Sequence, residues 1–329
     1  MKYSVYLSFF IFCLSFNAKS QDIHFSNLSI ASPYYSIASI GSSESILSVR
    51  SIYRNQWPVI GNAYNTIGFI SDFRIETENG RFGIGLISSR DEAGELSLTR
   101  LQIDGAITYH QKIAKNSSLS AGVQGGVIQH SISSTNAQWQ NQFNGKEFDS
   151  SIPSGETPLF QPFLNYSVGA GIQWEFNDLK FNNQSNSFSY SSFGFSIYHA
   201  IASTLEYNDS KKEYARFVIS NKTIYVLKKN KSAIEPSAIY QQKGKEKEVV
   251  FGLMYRYIIK EGSKFTKTKS KLDIAFGSYI RFPNDAVIPT FDMNYGQFQF
   301  GISYDINFSR LYKASNKIGG IEFGLCFSL

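Results

Sequence analysis

Apolar and polar side chains alternate along most of this chain. From Leu164 to Phe176 every second residue is apolar, and polar or small residues from Asn165 to Glu175 occupy the positions between them. This alternation predicts β-strands, because successive side chains of a strand point to opposite faces of a sheet. The same pattern recurs over residues 101–109, 251–259, 298–308 and 321–329.

The length of the alternating runs favours a membrane protein. Several runs extend over about ten residues or more, which matches the roughly 9 to 11 tilted residues of a transmembrane strand, whereas soluble strands average about 5 to 6. Charge is confined to one face of these runs, at Arg100, Asp104, Glu175 and Asp305. A charged side chain facing lipid at mid-depth costs roughly 2 to 4 kcal/mol. We therefore predict an all-β, single-chain transmembrane antiparallel β-barrel, with a soluble β-sandwich or periplasmic domain as the alternative.

About fourteen strands are predicted within one domain over residues 46–329, an even number that suits a bacterial barrel. The eighth and ninth are the least regular, because Asn221 to Thr223 and Pro236 interrupt the alternation. The predicted strand centres are Val49, Ile67, Ile84, Ile103, Val123, Val168, Phe195, Ile219, Ala238, Leu253, Phe276, Phe291, Ile302 and Leu325.

Strand parity predicts which connections share an end of the barrel. If both chain ends lie in the periplasm, the two longest connections, Ser131 to Gln161 and Ile201 to Glu213, face the exterior, as expected for outer loops. The polar segment from Asn177 to Ser189 falls on the periplasmic side and is longer than a usual inner turn. Trp57 and Trp174 stand near strand ends, where interfacial aromatic residues are common.

The first twenty residues have the pattern of an export signal. Lys2 precedes an apolar run from Tyr3 to Phe16, and small residues at Ala18 and Ser20 predict cleavage before Gln21. We expect residues 21–45 to form an N-terminal segment that either packs in the lumen or remains in the periplasm. Nine glycines on the predicted inner face would let a lumen filling approach the wall closely. They are Gly122, Gly126, Gly169, Gly171, Gly194, Gly252, Gly277, Gly301 and Gly324.

The chemistry-bearing residues predict no active site. The chain has 32 basic and 26 acidic residues, for a formal charge of +6, and its short lysine tracts are typical of solvated turns, so no nucleic-acid partner is expected. The four histidines are far apart in sequence, which argues against zinc. We predict no catalytic residues, no cofactor and no metal, and hence no enzyme. The inner carboxylates Asp72, Asp104, Glu175, Asp273 and Asp305 are expected to pair with Arg100, Arg256 and Arg281.

Several ordered segments resemble the PorP/SprF outer-membrane proteins, which are associated with type IX secretion and gliding motility. The most distinctive is Arg54-Asn55-Gln56-Trp57-Pro58. The others, in chain order, are Gln21-Asp22 with Phe25-Ser26, Asp91 with Ala93-Gly94, Tyr109-His110, Pro236 to Gln242, Arg281-Phe282 with Asp285-Ala286, Ser303-Tyr304-Asp305 and the strand beginning at Glu322. Two segments depart from the family pattern: Ser36-Ile37-Ala38 replaces the usual Asn-Pro-Ala, and the chain ends in Phe327-Ser328-Leu329 without a terminal aromatic residue.

The resemblance implies an outer-membrane component of the type IX system that helps a cognate, adhesin-like secreted protein reach or stay on the cell surface. It also implies contacts with that protein and with periplasmic components of the machinery, besides membrane lipid. We expect the outer loops, or the lumen, to hold the C-terminal domain of the secreted protein. The candidate partner-binding residues are Trp139, Phe143, Phe148 and Tyr207 on the predicted outer loops. The alternatives are a channel for small solutes and a barrel enzyme acting on lipid or glycan.

Overall fold

A computed structural model describes the protein over most of its length. The described residues are 23–58, 64–94, 96–133, 138–155, 162–178, 187–201, 213–227, 231–260, 271–283, 286–308 and 318–329. The predicted export signal, residues 1–20, lies outside these ranges. Within them, no helix has the length and apolar character that crossing a bilayer requires.

Fourteen strands form the fold, and each contains the predicted centre of the same rank. In chain order they are β1 Leu47–Gln56, β2 Tyr64–Glu76, β3 Gly80–Ala93, β4 Leu98–Ala114, β5 Ser117–Ser131, β6 Phe163–Asn177, β7 Ser187–Tyr198, β8 Arg216–Val226, β9 Ser232–Lys243, β10 Glu246–Lys260, β11 Leu272–Phe282, β12 Ala286–Tyr295, β13 Phe298–Asn307 and β14 Ile318–Ser328.

The strands close into one antiparallel barrel. Each strand pairs with its neighbours in the chain, and β1 pairs with β14 from Ser48↔Ser328 to Gln56↔Gly320. Closure pairs the first and last strands, whose edges would otherwise expose a row of unpaired backbone groups. The predicted fold class, a 14-stranded antiparallel barrel, is confirmed.

Exposure along the strands is the reverse of that in a soluble protein. On β6, Leu164, Tyr166 and Ile172 point outward and are exposed, whereas Gln173 and Glu175 point inward and are buried. An apolar outer surface around a polar interior is stable where hydrocarbon surrounds the barrel. The alternation therefore places lipid on the outside of the wall.

The two ends of the barrel differ. The terminal end holds the start of β1 and the end of β14, joined by a hydrogen bond from the Ile46 N–H to the Leu329 carbonyl at 2.7 Å. The opposite end, called the loop end, holds the two long connections over residues 132–162 and 199–215.

The predicted positions of the irregular eighth and ninth strands are confirmed, although β9 contains Pro236. The β8–β9 ladder runs from Arg216↔Lys243 to Lys222↔Ser237, skips the positions around Pro236, and resumes at Tyr225↔Ile234. Proline has no N–H to donate to a ladder, which accounts for the gap. On its other side Pro236 still pairs with Leu253 of β10.

Candidate functional site

Residues 23–45, called the lumen segment, lie inside the barrel. Its large apolar side chains, among them Phe25, Ile30, Ile37 and Ile40, are almost fully buried and form the principal hydrophobic core. Two short 3-10 turns, Ser32–Tyr34 and Ile37–Ser39, give the segment a compact shape. The interior is thus filled by the chain itself over the described residues.

The segment runs the height of the barrel. Ile23 lines a cavity at the loop end together with Arg100 and His199, whereas Gly41 donates its N–H to Asp72 at 3.1 Å near the terminal end. Two cavities at the loop end enclose about 30 Å³ each, which is room for one or two water molecules.

Isoleucines of the lumen segment sit against glycines of the wall. A Cβ added at Gly83 would lie 2.3 Å from the Ile40 carbonyl oxygen, and one added at Gly324 would lie 2.6 Å from Ile30 Cδ1. Only glycine permits an approach this close. The prediction that inner-face glycines admit close packing of the lumen contents is confirmed at Gly324, and Gly83 adds a position that the prediction did not include.

A cluster of four charged side chains, called the arginine clamp, surrounds Ser26. Arg54 Nη2 lies 2.7 Å from Asp305 Oδ2, and Arg54 Nη1 lies 3.2 Å from Glu322 Oε2. Arg281 Nη1 lies 2.6 Å from the same Asp305 oxygen. The Ser26 hydroxyl donates to Asp305 Oδ1 at 2.7 Å and accepts from Arg281 at 2.8 Å. The clamp is buried, and its opposite charges compensate one another.

The clamp also forms hydrogen bonds with the backbone of the lumen segment. The N–H groups of Ser26 and Asn27 donate to the two carboxylate oxygens of Glu322 at 2.7 and 2.8 Å. The Asn27 side-chain amide donates to Asp292 at 2.7 Å. Charge-assisted hydrogen bonds of this kind are about twice as strong as neutral ones. Residues 26 and 27 are therefore held from β12, β13 and β14 together.

The clamp unites segments that carry the family resemblance. Each of its charged residues comes from a different segment that resembles the family: Arg54, Arg281, Asp305 and Glu322. Ser26 comes from the N-terminal segment of that set. The inner-face pattern predicts that Asp305 pairs with one of Arg100, Arg256 and Arg281, but it does not predict that Arg54, Glu322 and Ser26 meet there. Their inner-face positions were the one available signal, because charges in a filled barrel must find partners.

The other motif residues lie at or beyond the loop end of β1. Asn55 donates its amide to Asn65 of β2 at 2.7 Å, and Gln56 is the last residue of β1. Trp57 has a left-handed backbone, with φ of 55°, and packs edge-on against Tyr64 at a centroid distance of 5.3 Å. Pro58 follows it and is exposed, and Asp285 lies outside the described residues.

The terminal half of the lumen segment is anchored through the Ile40 carbonyl. His110 Nε2 lies 2.7 Å and Thr108 Oγ1 2.7 Å from this oxygen, and Ser120 Oγ lies 2.6 Å from His110 Nδ1. A neutral imidazole bridging a hydroxyl and a carbonyl satisfies both ring nitrogens. His110 is thus used in anchoring the segment.

The predicted pairing of inner carboxylates is right in two cases and wrong in a third. Arg281 pairs with Asp305, and Arg256 lies 2.5 Å from Asp273 and also contacts Glu235. Two other carboxylates pair with arginines that were not predicted: Asp72 with Arg50 at 2.6 Å and Glu175 with Arg81 at 3.6 Å.

Arg100 is the exception. Its Nη2 lies 3.6 Å from Glu213, at the loop end. Asp104 instead accepts a hydrogen bond from Gln102 at 2.5 Å. Asp104 lies four residues deeper along β4 than Arg100, so the arginine pairs with a residue of the β7–β8 connection instead. Across the described ranges, no group of three His, Cys, Asp or Glu side chains is arranged to hold a metal ion.

Three of the four candidate partner-binding residues lie on the described part of the β5–β6 connection. Phe143 and Phe148 form an isolated antiparallel bridge around a turn at Gly145, and are 56% and 37% exposed. Trp139 begins the preceding 3-10 turn and is half-buried. Together residues 139–149 form a structured hairpin with an exposed aromatic pair, called the aromatic hairpin. Tyr207 lies outside the described residues.

The hairpin is stabilised by local polar contacts. The Asn144 side chain accepts the N–H groups of Lys146 and Glu147, both at 3.0 Å. The Ser151 hydroxyl and N–H donate to Asp149 and hold the pKa of that carboxyl below its usual range. Such Asx-type contacts replace backbone pairing in turns, so the aromatic pair is presented on an ordered support.

A family model, "Type IX secretion system membrane protein PorP/SprF", matches residues 17–323. No curated protein sequence matches at a significant level.

Solved structures with a similar fold include the TodX monoaromatic hydrocarbon channel deltaS2 mutant, with a TM-score of 0.49 and 9% identity over 91% of this chain and 94% of that one. The CymD monoaromatic hydrocarbon channel has a TM-score of 0.45 and 9% identity over 93% and 95% of the two chains. BamA from Haemophilus ducreyi has a TM-score of 0.40 and 9% identity over 87% and 71%.

Proposed function

The chain belongs to the PorP/SprF family of type IX secretion system membrane proteins, and from that premise we propose that it holds a cognate secreted protein at the cell surface. It does so as a closed outer-membrane scaffold, through protein contacts made at its loop end. The bound element is the C-terminal domain of the secreted protein. Periplasmic components of the secretion machinery contact the terminal end.

One observation carries this proposal: the lumen is filled by a segment tied to the wall through buried charges. A channel needs a continuous aqueous path, and two cavities described at the loop end enclose only about 30 Å³ each. The filled interior therefore counts against the solute-channel alternative and favours a role for the outer surfaces.

The filled lumen also counts against an enzyme. A carboxylate that acts as a general acid or base needs access to substrate. Asp305 and Glu322 are instead saturated by arginines and by N–H groups of the lumen segment. We therefore assign these residues to holding the segment in place.

The loop end is the surface that supports partner binding. It carries the aromatic hairpin, and exposed aromatic side chains on a rigid support are typical anchors of protein interfaces. We place this end outside the cell, with export by a signal peptide cut before Gln21. N-terminal sequencing of the protein purified from membranes checks the cleavage site.

Deletion of the gene tests the proposed function. Intact cells of the wild type and the deletion strain are treated with protease, and the released surface peptides are compared by mass spectrometry. We expect at least one secreted protein to disappear from the deletion strain and to return when the gene is restored. An unchanged set of surface proteins would overturn the proposal.

A further inference from the structure

One strand rises above its neighbour at the loop end. β6 pairs with β5 over nearly its whole length, from Phe163↔His130 to Phe176↔Ser117, but with β7 only from Ala170↔Ile197 downward. A single further hydrogen bond joins the Ala200 N–H to the Val168 carbonyl at 2.9 Å. Residues 163–167, called the β6 rim, thus have a paired neighbour on one side only among the described residues.

The regular β6–β7 ladder ends at a backbone irregularity at His199. β7 ends at Tyr198, and His199 adopts a left-handed conformation with φ of 53°, which residues other than glycine rarely adopt. His199 is buried, with its Nε2 3.5 Å from Arg100. Beyond it, the Ala200 N–H still bonds to Val168, but no strand of the described residues pairs with β6 above that point on this side.

The unpaired groups belong to Leu164 and Tyr166. The Val168 carbonyl faces the β7 side, and the register with β5 is unbroken from Phe163 onward. Since the N–H and C=O groups of successive residues alternate between the two edges, those of Leu164 and Tyr166 also face the open side. Their side chains point outward and are 65% and 74% exposed.

Polar and charged side chains lie near the β6 rim at this end of the wall. The outward positions in register with Leu164 are Gln129 on β5, Leu101 on β4 and Arg90 on β3. Arg90 is 51% exposed, and a charge facing hydrocarbon is unfavourable, so this part of β3 lies outside the hydrocarbon. Tyr166 lies two residues from Leu164 along β6, and tyrosine is common at membrane interfaces.

Polar atoms inside the loop end also lack partners. Asn165 points inward from the β6 rim, and its amide nitrogen is buried with no hydrogen-bond partner in the described part of the chain. The Gln124 side-chain amide oxygen on β5 is also buried and has no hydrogen-bond partner among the described residues. Buried polar groups left unpaired are destabilising, and a bound polar side chain would supply the missing hydrogen bonds.

We propose that the β6 rim is a strand-addition site, on which an extended segment of the secreted partner pairs with Leu164 and Tyr166. This rests on the proposed function and names the surface and the shape of what is bound. The occupant is an extended stretch of about five residues, with apolar side chains outward beside Leu164 and Tyr166 and polar ones inward. Backbone pairing gives affinity, and the alternate side chains give specificity.

Proline substitution tests the pairing directly. Leu164→Pro with Tyr166→Pro removes the two N–H groups that face the open side, and leaves the hydrogen bonds to β5 intact. Leu164→Val with Tyr166→Val is the matched control, because it alters the same side chains and keeps both N–H groups. Each variant is expressed in the deletion strain, and unfolding of the barrel on heating is checked by gel mobility.

The readout is the surface protein whose loss identifies the partner in the deletion strain. We expect its retention to fall about fivefold or more with the proline pair relative to the valine pair, because the proline pair removes two backbone hydrogen bonds to the partner. Equal retention by the two variants overturns the strand-addition site while leaving the proposed function standing. A deletion strain that loses no surface protein overturns both.

A photo-crosslinking residue identifies the occupant independently of folding effects. With p-benzoylphenylalanine in place of Tyr166, illumination of intact cells is expected to give an adduct with the same surface protein. An adduct between two copies of this chain would assign the β6 rim to self-association and overturn the proposal. An adduct with neither would also overturn it.

Discussion

Arg54 on β1 and Asp305 on β13 are 251 positions apart in the chain and are joined by an ion pair of 2.7 Å inside the barrel. Between them they hold Ser26 of the lumen segment. A barrel wall alone does not need these charges, because an empty polar lumen would be filled with water. Their pairing around Ser26 indicates that the wall and the lumen segment fold as one unit.

Removal of Glu322 is expected to release the start of the lumen segment. Glu322→Ala leaves Arg54 with one fewer partner and the N–H groups of Ser26 and Asn27 without an acceptor. Breaking a buried ion pair in this way costs about 3 to 5 kcal/mol. We expect a lower unfolding temperature of the purified barrel in detergent.

Glu76→Ala is the matched control. Glu76 pairs with Arg74 but is 61% exposed, and such surface pairs contribute about 0 to 1 kcal/mol. Similar losses in the two variants would contradict the role given to Glu322.

Close packing of the lumen segment against the wall predicts a position-dependent effect of alanine. Gly83→Ala places a methyl group 2.3 Å from the Ile40 carbonyl oxygen, so the backbone of the segment must move. Overpacking of this kind costs about 1 to 3 kcal/mol. On β4, the nearest atom to a Cβ at Gly105 is 3.9 Å away, so Gly105→Ala is expected to leave stability within about 0.5 kcal/mol. Urea unfolding from detergent micelles measures both, and equal stabilities would refute close packing at Gly83.

The aromatic hairpin is expected to matter for binding and not for folding. Phe143→Ser with Phe148→Ser removes two exposed rings, and surface changes of this kind shift stability by about 0.5 kcal/mol or less. Retention of the surface partner should fall about tenfold or more, as for loss of an aromatic anchor. Lys146→Ser, in the same turn, is the control. Full retention by the double variant would exclude the hairpin from the interface.

The lumen segment is expected to close the barrel to ions. In planar bilayers the purified protein should give no steady conductance steps, whereas a variant lacking residues 23–45 and shown to be folded by gel mobility should conduct. The reason is that the segment is buried inside the barrel, where the two cavities described at the loop end enclose about 30 Å³ each. Steady channels in the unaltered protein would favour the solute-channel alternative.

The strands were predictable because each one obeys a local rule. For example, Leu164 faces lipid and Gln173 faces the lumen because they occupy alternate positions along β6, and no knowledge of distant residues is needed. Even around Pro236 the flanking residues kept the alternation, so only the gap in the β8–β9 ladder escaped prediction.

The lumen segment was not predictable in the same way. Ile30, Ile37 and Ile40 are spaced by seven and three residues, as on one face of a helix, yet the segment forms only two short 3-10 turns. Their partners are glycines on distant strands. Likewise the bond from Ser26 to Glu322 spans 296 positions. The left-handed backbone at His199, where the β6–β7 ladder ends, is likewise not revealed by residue type.

The most direct test of a filled lumen is a disulfide between residue 30 and residue 324. A Cβ at Gly324 would lie 3.6 Å from Ile30 Cβ, within the range of about 3.5 to 4.5 Å that disulfides require. Ile30→Cys with Gly324→Cys is made in a Cys326→Ser background, and the protein is purified without reductant and treated with a maleimide. If the lumen segment fills the barrel, a single internal disulfide forms and the maleimide labels nothing. Two free thiols that react with the maleimide would contradict a filled lumen.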